Sequence, residues 1–158
     1  MAGVKILFVC LGNICRSPTA HAVMRHKARH LTRWHIESAG TSASHRGEKP
    51  DPRSRREGEA RGYKFDGIFS RPVKDTDFAD YDLLLAMDEA NLAELRRRCP
   101  PEYQHKLSLF LRFHPDYPAL SEVPDPYYGG RGGFTLVLNL IEQGCEAILQ
   151  QLNSDNAN

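Results

Sequence analysis

VKILFVCLGNICRSP, residues 4–18, joins a continuous apolar run to a short turn that holds two cysteines, a glycine, an asparagine and an arginine. An apolar run of this length, bounded by turn residues, reads as a strand covered on both faces, predicted over Val4–Val9. Ser17-Pro18 then opens a helix, with Ala20, Val23, Met24 and Leu31 following at helical spacing. A buried strand feeding a helix through a tight polar turn is half of a βαβ unit, and it decides the fold class.

The same alternation continues outward. Trp34–Ser38 predicts a second, weaker strand, followed by a polar loop over residues 39–51 and a helix from Pro52 to about Arg61, closed by Gly62. Tyr81–Met87 is nearly continuous apolar sequence and predicts the third strand, after which Asp88 caps a helix carrying Leu92, Leu95 and Cys99. Leu107–Leu111 predicts a fourth strand, and Phe113–Gly133 a long loop rich in Pro, Tyr and Gly, of a length that usually carries function. The last helix is predicted over Gly133–Leu152, with Phe134, Leu138, Ile141, Cys145, Ile148 and Leu152 on one face, and the Asn-rich residues 154–158 as a disordered tail. The expectation is one α/β domain over residues 1–153, with a mainly parallel sheet whose ligands bind beyond the carboxyl ends of its strands.

Composition narrows the chemistry. A net charge of +1 in 158 residues gives no bulk attraction to nucleic acid or to an anionic membrane. The opening apolar run is too short to span a bilayer and lacks a basic leader and a cleavage site. Four cysteines, two of them in one turn, make a poor disulfide framework and imply a reducing, cytoplasmic setting. Zinc is not expected, because Cys10 and Cys15 lack a second ligand pair and the seven histidines are scattered.

Cys10 stands where the first strand ends, so the strand-end rule places it at the site. Gly12 and Asn13 tolerate the left-handed backbone of a tight cradle, and the amides of Leu11, Gly12, Asn13, Ile14, Cys15 and Arg16 then form a concave ring at a helix N-terminus. Such a ring holds a phosphate-sized anion, and the Arg16 guanidinium can close it as a planar fork. The same field favours a Cys10 thiolate, the nucleophilic form. Attack on phosphorus needs an acid for the departing oxygen, and Asp125, stiffened between Pro124 and Pro126, is the candidate. Tyr127 and Tyr128 are placed to wall the entrance against an aromatic leaving group.

Cys-x5-Arg with Ser-Pro after it, at the first strand, together with "MDEANL" and the late "DPYYGG", closely resembles the low-molecular-weight protein tyrosine phosphatases, over about Val4 to Leu152. The resemblance implies a flavodoxin-like three-layer fold with a four-stranded parallel sheet flanked by helices, Cys10 as nucleophile, Arg16 as phosphate clamp and Asp125 as acid and base. It implies that Asn13 bonds to Ser17 and to Ser38, that the Ser17 hydroxyl stabilises the thiolate, and that Cys15 forms a reversible disulfide with Cys10. It implies phosphotyrosine proteins as substrates, phosphate and other oxyanions as inhibitors, no cofactor, and a monomer or weak homodimer. Where the family pattern often has a histidine after the second helix, "FDGIFSRPV" has Gly67. Related arginine-phosphate phosphatases tend to have threonine where this loop has Ile14, which favours phosphotyrosine.

Two other functions compete. Related arsenate reductases share such a loop but need a redox cysteine pair near the end of the third strand, where this chain has Ala86-Met87-Asp88. A non-catalytic phosphate-binding module would be marked by loss of Cys10 or Asp125, and both are present. Cys99 and Cys145 read as core, and the run Arg25–His30 with Arg33 as a solvated helix face. Arg46 and Lys49, in the loop after Ser38, are placed to influence substrate choice.

Overall fold

The computed structural model describes residues 3–127, 129 and 131–157. Tyr128 lies outside them. Four strands, β1 (Lys5–Cys10), β2 (His35–Gly40), β3 (Leu83–Ala86) and β4 (Leu107–Leu109), form one parallel sheet in the order β2-β1-β3-β4. The helices are α1 (Arg16–Lys27), α2 (Pro52–Ala60), α3 (Asp77–Asp80), α4 (Glu89–Arg98) and α5 (Arg131–Ala157).

The alternation of β1 divides the core into two layers. Ile6, Phe8 and Cys10 pack on one face with Val23 and Met24 of α1 and Leu138 and Ile141 of α5, while Leu7 and Val9 pack on the other with Phe78 of α3 and Leu92 and Leu95 of α4. Both faces are therefore covered, as the continuous apolar run requires. Phe8 meets Phe110 edge to face, with centroids 5.6 Å apart. The carboxyl end of β1 lies at the point where the chain crosses from β2 to β3, the usual crevice of an open parallel sheet.

The elements depart from expectation mainly at their ends. β1 and β2 reach Cys10 and Gly40 because the pair Cys10↔Gly40 continues the ladder past the apolar residues. β3 is shorter than Tyr81–Met87, and the fourth strand stops at Leu109, where Phe110–Phe113 tightens into a 3₁₀ turn. The short α3 was hidden because its polar ends mask a single buried Phe78 and the buried Asp77. The last helix begins at Arg131 and continues to Ala157, so residues 154–157, expected as a disordered tail, are helical. Among the described residues no helix is long and apolar enough to cross a membrane.

Candidate active site

Between β1 and α1 the loop residues 11–15 turn tightly around Asn13, whose φ of 56° is the left-handed value that asparagine tolerates. The loop's carbonyls are drawn outward. Thr41 N–H donates to the Cys10 oxygen, Ser42 N–H to Leu11, the Ser70 hydroxyl to Gly12, Asp51 N–H to Ile14, and the Thr19 hydroxyl to Cys15. Among the described residues none of the amides from Gly12 to Ser17 has a partner, which leaves them for an anion at the positive end of α1.

The Asn13 side chain, 1% exposed, turns into the protein and braces this shape from behind. Its Nδ2 donates to Ser17 Oγ at 2.7 Å, and its Oδ1 accepts from the Arg71 amide at 3.0 Å. The second partner is thus Arg71 and not Ser38, which instead pairs with His21 Nδ1 at 3.0 Å. Gly67 sits in a left-handed turn, and this segment supports the cradle through Ser70 and Arg71. Ser17 Oγ lies 3.0 Å from Cys10 Sγ. With Asn13 donating to the hydroxyl oxygen, the hydroxyl hydrogen is free to point at the sulfur, the orientation a thiolate needs.

Arg16 is 2% exposed and held from behind by two acceptors, Asp88 Oδ2 at 2.7 Å and the Val123 carbonyl at 2.9 Å. Burial opposes its charge, but the Cys10 sulfur and the Asp88 carboxylate hold its pKa above the ordinary value. Asp88 also caps α4 by accepting from Asn91 N–H, and the cap was all that the sequence revealed of it. The other guanidinium nitrogen lies 3.6 Å from Asp125 Oδ2, so clamp and candidate acid face each other across the site.

Both line a cavity of about 170 Å³. Cys10, Leu11, Gly12, Ile14, Cys15 and Arg16 form its floor; Asn13, expected with them, does not line it because its side chain faces inward. Asp125, Tyr127, Ser44 and His45 line it as well. Sequence reasoning missed these last two and named Arg46 and Lys49, which are exposed and outside the wall. The available signal was Gly12: a Cβ there would lie 2.9 Å from the His45 ring, so only glycine admits the ring so close. Cys15 is 4% exposed; burial first, and then the Asp51 carboxylate, pushes its thiol up to about 12, so it stays protonated. Cys99 and Cys145 lie in the core, and all four cysteines are free. Among the described residues no three His, Cys, Asp or Glu side chains gather as a metal site.

Comparison with known proteins agrees with this geometry. The profile of the low molecular weight phosphotyrosine protein phosphatases matches residues 5–158. The low molecular weight protein-tyrosine-phosphatase YfkJ of Bacillus subtilis is 36% identical over 96% of this chain and 97% of its own. The crystal structure of a protein tyrosine phosphatase from Entamoeba histolytica, with Hepes in the active site, is 43% identical and superposes with a TM-score of 0.90 over 97% of this chain and 99% of that one. A Drosophila arginine phosphatase is also similar, with 34% identity and a TM-score of 0.88 over 96% of this chain and 99% of that one. A cysteine at the end of β1, an anion cradle before α1, and a fold and sequence shared with these enzymes over nearly the whole chain lead to one assignment: the protein belongs to the low molecular weight protein tyrosine phosphatase family, and it is a hydrolase.

Proposed function

We propose that the protein hydrolyses phosphotyrosine in proteins, and aryl phosphates generally, through a cysteinyl-phosphate intermediate. One observation carries this reading: Cys10, Arg16 and Asp125 face a single cavity, with unpaired loop amides at its floor. The phosphoryl oxygens sit against those amides and the Arg16 fork. The Cys10 thiolate attacks phosphorus opposite the aryl oxygen; the S–P bond forms as the P–O bond breaks, and the Asp125 carboxyl gives its proton to the departing oxygen. The Asp125 carboxylate then takes a proton from water, whose oxygen displaces sulfur from phosphorus. Ser17 receives the thiolate each time it is released.

The lining suits an aromatic ring, with Leu11, His45 and Tyr127 around it. Ile14 in the floor gives an apolar contact where the resemblance places threonine in arginine phosphatases, which supports phosphotyrosine over phosphoarginine. Cys15 lines the same cavity as Cys10, and that placement suits the resolving role: peroxide converts the Cys10 thiolate to a sulfenic acid, and the Cys15 sulfur attacks it as its proton leaves with the departing hydroxide as water, forming a disulfide that thiols reduce. The four free cysteines agree with a reducing cytoplasm.

The test is hydrolysis of p-nitrophenyl phosphate in chelator and reductant. The intact protein should turn over, Cys10→Ser should lose at least about 10⁴-fold, and Asp125→Ala should slow most with poor leaving groups. A protein that binds phosphate but hydrolyses no aryl phosphate, or that reduces arsenate, would refute the reaction while leaving the cradle intact.

A further inference from the structure

Asp125 is exposed at a side-chain level of 40%, on a loop with few long-range ties, yet general acid catalysis needs it fixed to within a fraction of an ångström. Two neighbours along the chain hold it. Two residues before it, the Val123 side chain is fully buried, its N–H donates to Met87 O at 2.8 Å, and its carbonyl accepts from Arg16. Two residues after it, Tyr127 N–H donates to Asp125 Oδ1 at 3.0 Å, so the tyrosine's place sets the carboxylate's.

Tyr127 packs against Ile14, Cys15 and Phe134, and a charged side chain outside the cavity lies over its ring. The Arg53 guanidinium carbon lies 5.5 Å from the centroid of the Tyr127 ring and 4.6 Å from that of Phe134 on α5, so the cation bridges the two rings. The guanidinium is itself aimed by a fork: Nε donates to Asp51 Oδ1 at 3.0 Å and one terminal nitrogen to Oδ2 at 2.9 Å. Asp51 is anchored in turn, since its side chain is only 7% exposed, it caps α2, and its N–H donates to the Ile14 carbonyl of the cradle at 2.7 Å.

We propose that Arg53 is a positioning residue, which ties the cradle to the acid loop and sets the place of Asp125 through Tyr127. The chain Ile14–Asp51–Arg53–Tyr127–Asp125 is continuous in hydrogen bonds and ring contacts, and each link is fixed at both ends. Arg53 touches neither the nucleophile nor the cavity, so its effect runs through Asp125. Lysine cannot replace it fully, because an ammonium lacks the planar fork that faces Asp51 and the rings at once.

This inference rests on Asp125 acting as the acid, and the experiment separates the two. Arg53→Gln and Arg53→Lys are each compared with the intact protein on p-nitrophenyl phosphate, a good leaving group, and phenyl phosphate, a poor one, alone and in an Asp125→Ala background. Arg53→Gln should lose about tenfold more kcat/KM on phenyl phosphate than on p-nitrophenyl phosphate, with Arg53→Lys between it and the intact protein, and neither should cost more than about twofold once Asp125 is gone. Equal losses on both substrates, or undiminished losses in the Asp125→Ala background, would overturn the proposal. If Arg53→Gln does not fold, Arg53→Lys, which keeps a cation beside Asp51, decides it by the same two ratios. If Asp125→Ala itself shows no leaving-group dependence, the fault lies with the acid assignment and Arg53 has nothing to position.

Discussion

The cradle that presents Cys10 and the loop that presents Asp125 face each other across one cavity, and they are held by different means. The cradle is fixed through its backbone: five of its carbonyls accept from the 41–51 loop, Thr19 of α1 and Ser70, and Asn13 ties its strained centre to Ser17 and Arg71. In the acid loop most backbone bonds are local, such as Gly129 N–H to Pro126 O and Leu120 N–H to Asp116 O. Its long-range anchors are few: Val123 on Met87 and Arg16, Glu122 on the Glu89 amide, and Tyr127 among Ile14, Cys15, Phe134 and Arg53. A site that must bind a trianion-like transition state needs its dipoles preset, since dipoles that reorganise during the reaction return little. A candidate acid is one group and needs fewer anchors to be placed than a ring of amides does.

The sharpest way to break the contrast is at Arg16, which belongs to both sides. Asp88→Asn keeps a residue that caps α4 but removes the negative charge behind the guanidinium. A charged hydrogen bond of about 1.5–3 kcal/mol corresponds to roughly 10- to 100-fold. kcat/KM should fall by that factor, and inhibition by inorganic phosphate should weaken alongside it. Unchanged phosphate inhibition would mean that Arg16 is aimed by Val123 and the cradle alone.

This contrast also explains what could be read in the sequence. Residues 10–17 are contiguous, and a strand end, two residues that tolerate a left-handed backbone, of which Asn13 adopts it, and a helix start allow few arrangements, so the cradle and the placement of its two candidate side chains were legible. Asp125 was legible because proline stands on either side of it. Asp88, Val123 and Arg71 were not legible in their roles: they lie 72, 107 and 58 positions from their partners, and each reaches them through a contact that only the sheet order creates. Ser38 was assigned to Asn13, but β2 brings its hydroxyl to His21. The strands were recognised by their apolar runs and misjudged at their ends, where ladder pairing continues through small residues such as Gly40.

Gly40 offers the next test, on the cradle alone. An added Cβ would stand 2.7 Å from the Leu11 carbonyl and 3.2 Å from Asn13 Cβ, so Gly40→Ala must push the loop backbone. Overpacking of this kind costs about 1–3 kcal/mol, and kcat should drop by about tenfold. Because the nucleophile and clamp are displaced and the acid is not, the loss should be the same for p-nitrophenyl and phenyl phosphate. A loss that grows with the leaving group's basicity would show that cradle and acid loop move as one body.

A smaller effect is expected from the wall. Tyr127→Ala removes a ring that lines the cavity and stacks near His45, with centroids 6.0 Å apart. An aromatic contact of about 1 kcal/mol predicts that KM for aryl phosphates rises about fivefold, in addition to the leaving-group-dependent loss expected when the Arg53 contact with the ring is cut. Inorganic phosphate does not reach this wall and should inhibit as before. If phosphate inhibition weakens equally, the tyrosine is shaping the cradle and not the slot above it.

The smallest expected effect lies behind the cradle and is read as stability against pH. His21 is 6% exposed, and burial, followed by the charges of Arg25, His35 and Arg71, pushes its pKa down to about 3. It is therefore neutral at working pH, bound through Nδ1 to Ser38, next to the Ala39 carbonyl that faces Ser17 at 3.5 Å. In the unfolded chain the histidine titrates near 6.5, so between that pH and about 3 the unfolded state binds a proton that the native state refuses. Stability from this residue is present above about 6.5 and is lost as pH falls through that window. His21→Gln should cost about 1 kcal/mol at pH 7 through the weakened bond to Ser38, while escaping up to about 2 kcal/mol of proton-linked loss by pH 5. Urea midpoints of the two proteins should thus converge or cross between pH 7 and 5. A gap that stays constant with pH would mean that His21 accepts its proton inside the fold, and that the layer behind the nucleophile is more open to solvent than its packing implies.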